Sequence, residues 1–547
     1  MSDTADATGS ASPFAPLTVP TFRAVWIGNL LSNFGGLVQA VGAAWLMTLI
    51  ATTDTQVALV AATTTLPVML FSLLSGAVAD SYDRRRVMLC AQLFMFAVSI
   101  VLVAVTWAGW INAWSLLGLT FLIGCGVAFN NPAWQASVRD FVGMELLPRA
   151  VLLNGVGFNV TRSVAPAVGG AIVASAGAVA AFAVNALSYL GIIFAVWRWR
   201  GVDADRDRAP EPLTAAMVAG IRYVRLSPKL LRLCTRGFLF GLGAVVVLAM
   251  LPLVTRDLLQ GTSLRYGLLL GAFGLGAVIS GVSSARMTQR LRSEQLMQVS
   301  FAALALSALL ISVSPWFPLS LLATAIAGWA WVLALALINT TVQMSTPRWV
   351  VGRAMAFYQM FTFGGMALGA WIWGLIAESD GVAQALQWAA LALGVGLLVG
   401  LRWPIPSQED LQLDPLGRWQ EPAIGLAIEP RSGPVVVSVT HEIREADTTE
   451  FAHWMRERRR IRERDGALRW TLLRDLEAPQ RWTERFEFPT WADYVRFHSR
   501  TTQEDGKVTD RIHALHQGAG VPAVQRDLIR DPGKLEQEIA PRGAPEI

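Results

Sequence analysis

One basic side chain, Arg162, lies deep inside an apolar run of this chain. It follows Arg149 by 13 residues, about 20 Å along a helix at roughly 1.5 Å per residue. In a bilayer that depth is expensive for a guanidinium, and by default it marks a functional position. Arg162 can attract an anionic group of a substrate or pair with the carbonyl end of a helix. A structural hydrogen-bond hub is the competing reading. Asn29, Asn33, Asn159 and Gln359 lie in other apolar stretches, as do Gln39 and Asn185. Each can tie two helices together without touching a substrate. As a set they describe a weakly polar, Trp- and Phe-rich cavity for amphipathic organic molecules.

Two local motifs can move such helices. The first is Gly76-Ala-Val-Ala-Asp80-Ser-Tyr-Asp83-Arg84-Arg85-Arg86. Its glycine permits close packing, and its carboxylates can meet a helix N-terminus or an arginine. Its arginines anchor one membrane side. The bland reading is topology alone, since any cytoplasmic loop can carry three arginines. The second motif is Ala165-Pro166-Ala-Val-Gly169-Gly170, where small residues and a proline allow a bend and close approach. Ordinary packing explains it equally well.

The absences narrow the chemistry. Between residues 20 and 400 there are 13 acidic residues, all at breaks or helix ends, and no histidine. A buried proton relay normally needs Asp, Glu or His, so proton coupling would fall to Asp80, Asp83 and Asp140. No GxxxxGK[ST] loop is present, which excludes a phosphate-loop ATPase. Cys90, Cys125 and Cys234 sit in apolar runs without CxxC spacing, and neither a metal site nor a cofactor is implied.

These residues need a membrane scaffold. The 547 residues are 53% hydrophobic and 16% charged, against about 25% charged in soluble domains. Twelve runs of about 20 apolar residues fall near 22–50, 56–79, 87–109, 113–138, 149–174, 176–198, 232–255, 264–286, 295–314, 317–342, 351–376 and 382–402. Positive residues concentrate in the even-numbered breaks, so both termini read as cytoplasmic. Met1 to Pro20 lacks a basic start and an apolar core, so no cleaved signal peptide is expected.

The expected organisation is a cytoplasmic N-terminal tail over 1–20 and a six-helix bundle over 21–198. A cytoplasmic linker follows over 199–231, then a second six-helix bundle over 232–403. Residues 404–517 form a cytoplasmic α+β domain, and 518–547 are expected to lack structure. Within the linker, Met217, Ile221 and Val224 share one face, with Arg222, Arg225 and Lys229 elsewhere, as in a helix lying on the membrane surface. The halves resemble each other: Asn131-Pro-Ala-Trp-Gln135 precedes Arg149-Ala-Val, and Asn339-Thr-Thr-Val-Gln343 precedes Arg353-Ala-Met. Duplicated halves are a transporter architecture.

The loop at Gly76 to Arg86 resembles the signature of the major facilitator superfamily. Gly76, Asp80, Arg84 and Arg85 match, while Ser81 replaces the usual Arg and Asp83 the usual Gly. The Pro166 motif resembles the superfamily's exporter signature, with Ala165 in place of Gly. The stretch from Phe129 through Gly170 is similar to the branch holding the bacterial enterobactin exporter, macrolide-efflux proteins and transmembrane secretion effectors. This resemblance implies an all-α membrane protein with twelve transmembrane helices in two six-helix bundles. It implies alternating-access export of a siderophore, antibiotic or drug-like molecule across the cytoplasmic membrane, with import of a small metabolite as the alternative and no nucleic acid as partner. Gly76, Asp80, Asp83, Arg84, Arg85, Pro166, Gly169 and Gly170 then become gating residues. The fourth helix departs from the superfamily's proton antiporters, because Arg139 sits at its end.

The last part of the chain is different. Residues 401–547 carry 22 Lys/Arg against 25 Asp/Glu, and all five histidines. Pro434 to Thr440, Leu468 to Leu476 and Arg481 to Phe488 read as strands; Glu450 to Arg464, Trp491 to Arg500 and Asp505 to His516 read as helices. That order resembles a small ferredoxin-like domain of the kind found in antibiotic-biosynthesis monooxygenases and related dimeric barrels. Regulation or dimerisation is the expected role, and an enzyme or ligand sensor the alternative.

Overall fold

A computed structural model describes residues 14–199, 213–347, 349–405, 412–419, 422, 424–426, 428–518 and 520–530. The side chain of Asp80 lies outside the described set. The chain divides into two compact units. One holds residues 1–213, 229–342 and 355–407, and the other holds 214–228, 343–354 and 408–547.

The first unit is helical: α1 (Pro20–Ile50), α2 (Asp54–Ser81), α3 (Arg84–Trp107), α4 (Ala113–Arg198), α6 (Pro228–Leu253), α7 (Ser263–Arg290), α8 (Ser293–Val313), α9 (Phe317–Met344), α10 (Val351–Asp380) and α11 (Val382–Arg402), with α5 (Leu213–Arg225) belonging to the second unit. The starts are set by local polar caps. The Thr53 side chain accepts from the Gln56 N–H, Asp83 accepts from Arg85, and Asn112 and Ser115 cap each other reciprocally.

Eleven helices among the described residues are long and apolar enough to cross a membrane, against the twelve runs expected. The difference lies in α4, whose backbone leaves helical geometry at Gly143 and Gly177, with φ values of 72° and 77°. Its stretch Glu145–Arg198 holds 54 residues, enough for two crossings of a core about 30 Å thick. Gly177 breaks the helix, because glycine accepts a positive φ that other residues rarely adopt, and so divides the fifth apolar run from the sixth as the twelve runs expect. Phe22, Val25, Met88, Trp134, Phe141, Ile192 and Trp199 form one packed core joining α1, α3 and α4.

The second unit contains a four-stranded antiparallel sheet of β1 (Val435–Glu442), β2 (Leu468–Arg474), β3 (Arg481–Phe488) and β4 (Ala523–Leu528), in the order β2-β3-β1-β4. Helices α12 (Thr448–Asp465), α13 (Trp491–Arg500) and α14 (Gln503–Leu515) fill the connections. This is the βαββαβ arrangement of a ferredoxin-like fold. Its core holds Val435, Val437, Val439, Phe486, Phe488, Tyr494 and Phe497.

Two sequence expectations change here. Residues 518–547 were expected to lack structure, yet Ala523–Leu528 pairs with β1 from Val435↔Leu528 to Thr440↔Ala523. The strand is mostly solvent-exposed, so backbone hydrogen bonding to β1 holds it where side-chain pattern offers little signal. The apolar face expected on the linker helix is also redistributed. Tyr223 and Val224 are buried in α5 while Val218 and Ile221 are exposed. Tyr223 meets the Trp349 ring edge-on at 5.4 Å, and the Arg464 guanidinium lies 4.9 Å above Tyr223. The linker helix thus packs against the α+β domain and the 343–354 segment.

Candidate functional site

Arg162 sits in the middle stretch of α4, half-buried, with its guanidinium 5.4 Å above the Phe273 ring of α7. No acidic side chain pairs with it among the described residues. A desolvated cation over an aromatic face gains about 2 kcal/mol, less than a carboxylate partner would supply in hydrocarbon. The site therefore retains capacity for an anionic or electron-rich ligand.

The same two helices meet along a seam of glycines. A Cβ at Gly170 would lie 2.6 Å from the Ser263 carbonyl oxygen, and one at Gly267 would lie 2.6 Å from that of Pro166. One at Gly274 would fall 2.5 Å from the Ser163 Cα and 2.6 Å from the Arg162 oxygen. Gly169 faces elsewhere, and a Cβ there would lie 3.1 Å from the Val38 Cα of α1. The motif around Pro166 thus serves two interfaces at once. Gly267 and Gly274 escaped the sequence reading, although Gly267, Gly271 and Gly274 recur every three to four residues, the spacing of a small-residue helix face.

The arginine cluster makes its contacts inside the first 198 residues. Arg84 Nη1 donates to Asp140 Oδ2 at 2.9 Å and to the Ala136 carbonyl at 3.3 Å. Arg85 donates to the carbonyls of Val196 and Trp197 at 3.2 and 2.6 Å, capping the end of α4. Asp83 caps α3 through the Arg85 N–H at 2.9 Å. Open space surrounds the Cβ position of Gly76 among the described residues, so no close helix approach accounts for that glycine.

The polar residues divide. Asn185 donates to Gln39, to Ser99 Oγ at 3.4 Å and to the Tyr189 hydroxyl at 3.3 Å, a buried network inside one half. Asn29, Asn33, Asn159 and Gln359 are half-buried on α1, α4 and α10. A groove of about 760 Å³ opens elsewhere, lined by Val78, Tyr82, Arg86, Cys90, Phe94 and Phe129, and Arg162 does not line it.

At the opposite end from Arg84, side chains join the two halves. Arg256 Nη2 meets Asp54 Oδ1 at 2.8 Å, and Thr55 Oγ1 donates to Glu378 Oε2 at 2.5 Å. A partly exposed pair is worth about 1 kcal/mol, enough to shift a two-state balance roughly fivefold. Arg256→Asp should lower transport about fivefold, and Asp54→Arg with Arg256→Asp should recover it in a reconstituted uptake assay. Equal loss in the single and double variants would exclude a lock.

A family model described as "Transmembrane secretion effector" matches residues 11–532. The multidrug efflux pump Tap of Mycolicibacterium fortuitum is 27% identical over 396 residues, covering 70% of this chain and 94% of Tap. The enterobactin exporter EntS of Escherichia coli O1:K1 is 25% identical over 387 residues, covering 70% and 90%. The solved nucleoside transporter NupG shares the fold with a TM-score of 0.58 at 12% identity, over 70% of this chain and 98% of NupG. With its apolar spans, this fold and a match over nearly its whole length, the chain belongs to the transmembrane secretion effector family of major facilitator transporters.

Proposed function

We propose that the protein exports a small amphipathic organic molecule, of the siderophore, antibiotic or drug class, across the cytoplasmic membrane. Two six-helix halves rock about a central site, and both termini are cytoplasmic. The observation that carries this reading is Arg162, held over Phe273 of the opposite half without an acidic partner among the described residues. A substrate oxyanion or electron-rich ring fits between them. Tap and EntS, an efflux pump and an exporter, support the outward direction. Asn29, Asn33, Asn159 and Gln359 supply hydrogen bonds beside Arg162, and Gly76, Asp80, Asp83, Arg84 and Arg85 act in gating with Pro166, Gly169 and Gly170. Any proton coupling falls to Asp140, paired with Arg84, together with Asp80 and Asp83. The open edges of β2 and β4 are the surfaces through which the α+β domains would dimerise.

The test is cellular accumulation of siderophores, macrolides and cationic dyes in cells carrying wild type, Arg162→Ala or empty vector. Wild type should lower accumulation of at least one compound, and Arg162→Ala should lose that effect about tenfold. Export that is unchanged in a well-inserted Arg162→Ala protein would remove Arg162 from the substrate path.

A further inference from the structure

The α+β domain contains a second polar cluster that transport does not use. Antiparallel pairing sets His441 of β1 opposite Trp482 of β3, and Val439 opposite Glu484. Side chains alternate along a strand, so His441, Trp482 and Glu484 share the face that α12 covers. Phe451 of α12 lies 5.6 Å from the His441 ring and 5.7 Å from that of Trp482.

Glu484 is saturated. Arg458 Nε donates to it at 2.9 Å, Arg462 Nε at 3.3 Å and Trp470 Nε1 at 2.9 Å. Two guanidinium groups face this single carboxylate, which leaves one positive charge in excess. His441 and Glu484 are fully buried and Arg458 is 5% exposed. Meanwhile both His441 ring nitrogens, Arg458 Nη1 and Trp482 Nε1 are buried without a hydrogen-bond partner. Buried unpaired donors are costly, and native domains rarely leave several together.

Burial, helped by Arg458, holds the His441 imidazole down at about 3. It is therefore neutral near pH 7 and offers one N–H and one acceptor. The unmet capacity is thus three donors, one acceptor and a surplus positive charge, against the rings of Phe451 and Trp482. A buried water can satisfy donors but cannot neutralise the charge.

We propose that the α+β domain binds a small organic carboxylate between the β1–β3 face and α12, with Arg458 Nη1, Trp482 Nε1 and His441 holding its oxygens. The apolar body of that ligand lies against Phe451 and half-buried Trp482. Arg464, six residues further along α12 from Arg458, lies over Tyr223 of the linker helix.

The test uses full-length protein in lipid nanodiscs and equilibrium dialysis with benzoate, indole-3-acetate and decanoate. Benzamide serves as the uncharged counterpart of benzoate, and inorganic phosphate as a bare anion. At least one carboxylate should bind saturably at one site per chain, and benzamide should bind at least about tenfold more weakly than benzoate. Trp482→Phe keeps a ring against Phe451 and removes only the donor. It and His441→Phe should each weaken carboxylate binding about tenfold, measured in an Arg162→Ala background that removes any carboxylate held in the transport path. That background separates this site from the transport path, so failure of the export reading would leave the result standing. If the substituted domains misfold, the comparison of benzoate with benzamide in that background decides. No saturable carboxylate binding below about 10 mM, equal binding of benzamide and benzoate, binding of phosphate alone, or binding lost only with Arg162→Ala would overturn the proposal.

Discussion

Gly274→Ala is expected to cut export severely, although the change adds one methyl group. That methyl would stand 2.5 Å from the Ser163 Cα and 2.6 Å from the Arg162 carbonyl oxygen. Both are backbone atoms, so no rotamer change relieves the clash, and α4 and α7 must separate. Helix association in lipid depends on close packing rather than on expulsion of water, and lost contact is not replaced by a hydrophobic gain. The displaced carbonyl belongs to Arg162, so the putting apart of the helices also moves the guanidinium from Phe273. A control lies on the same helix: a Cβ at Gly271 would meet the Ser163 oxygen at 3.4 Å and the Ala167 Cβ at 3.6 Å, ordinary contact distances. Efflux by Gly271→Ala should stay within about twofold of wild type, and Gly274→Ala should lose at least about tenfold. The readout is efflux per inserted molecule. Similar efflux from the two variants would show that the seam can open without consequence.

Acidification from pH 7 to 4.5 is expected to loosen the α+β domain through two buried histidines. Burial holds His441 down at about 3, with Arg458 adding to the effect; burial also holds His498 at about 3, with Arg462 and Arg526 adding. Unfolded, both return to about 6.5. Below that value the unfolded chain binds protons that the folded domain refuses, so stability falls as pH drops from 6.5 towards 3. At pH 4.5 the loss is about 3 kcal/mol for each histidine, a large share of a domain's usual 5 to 15 kcal/mol or so.

Glu484 has the opposite window. Burial would raise its carboxyl, but Arg458 and Arg462 prevail and hold it at about 2. Its contribution is present above about 4.3 and lost as pH falls towards 2. Asp465, raised by burial, works against the histidines by taking up a proton in the folded domain. Hydrogen exchange of β1 and β3 in the full-length protein, corrected for the intrinsic pH dependence of exchange, reports the outcome. Protection should fall between pH 6.5 and 4.5, and His441→Phe with His498→Phe should flatten the fall. Constant protection in wild type over that range would contradict it.

Much of the architecture was legible in the chain because its signals are local. A run of about 20 apolar residues must be helical in lipid, since every backbone N–H and C=O has to bond within its own segment. The strands β1, β2 and β3 and the three helices of the α+β domain follow from side-chain alternation and helical periodicity, with caps at Thr490 and Thr502. Arg162 and the glycines after Pro166 were visible as residue types that lipid does not tolerate without cause.

What required the folded molecule is everything that depends on which segments meet. The sequence places Gly267 and Gly274 on a helix, but only packing against Pro166 and Arg162 makes their missing side chains necessary. Arg256 and Asp54 are 202 residues apart, and their pairing across the two halves has no local trace. Strand β4 is specified by the free edge of β1 rather than by its own exposed side chains. The cluster of His441, Arg458 and Trp482 likewise arises where strand register and helix docking coincide. Backbone preference acts over a few residues and is written along the chain, whereas charge pairing, steric exclusion and burial act between neighbours that exist only after the helices and strands have packed.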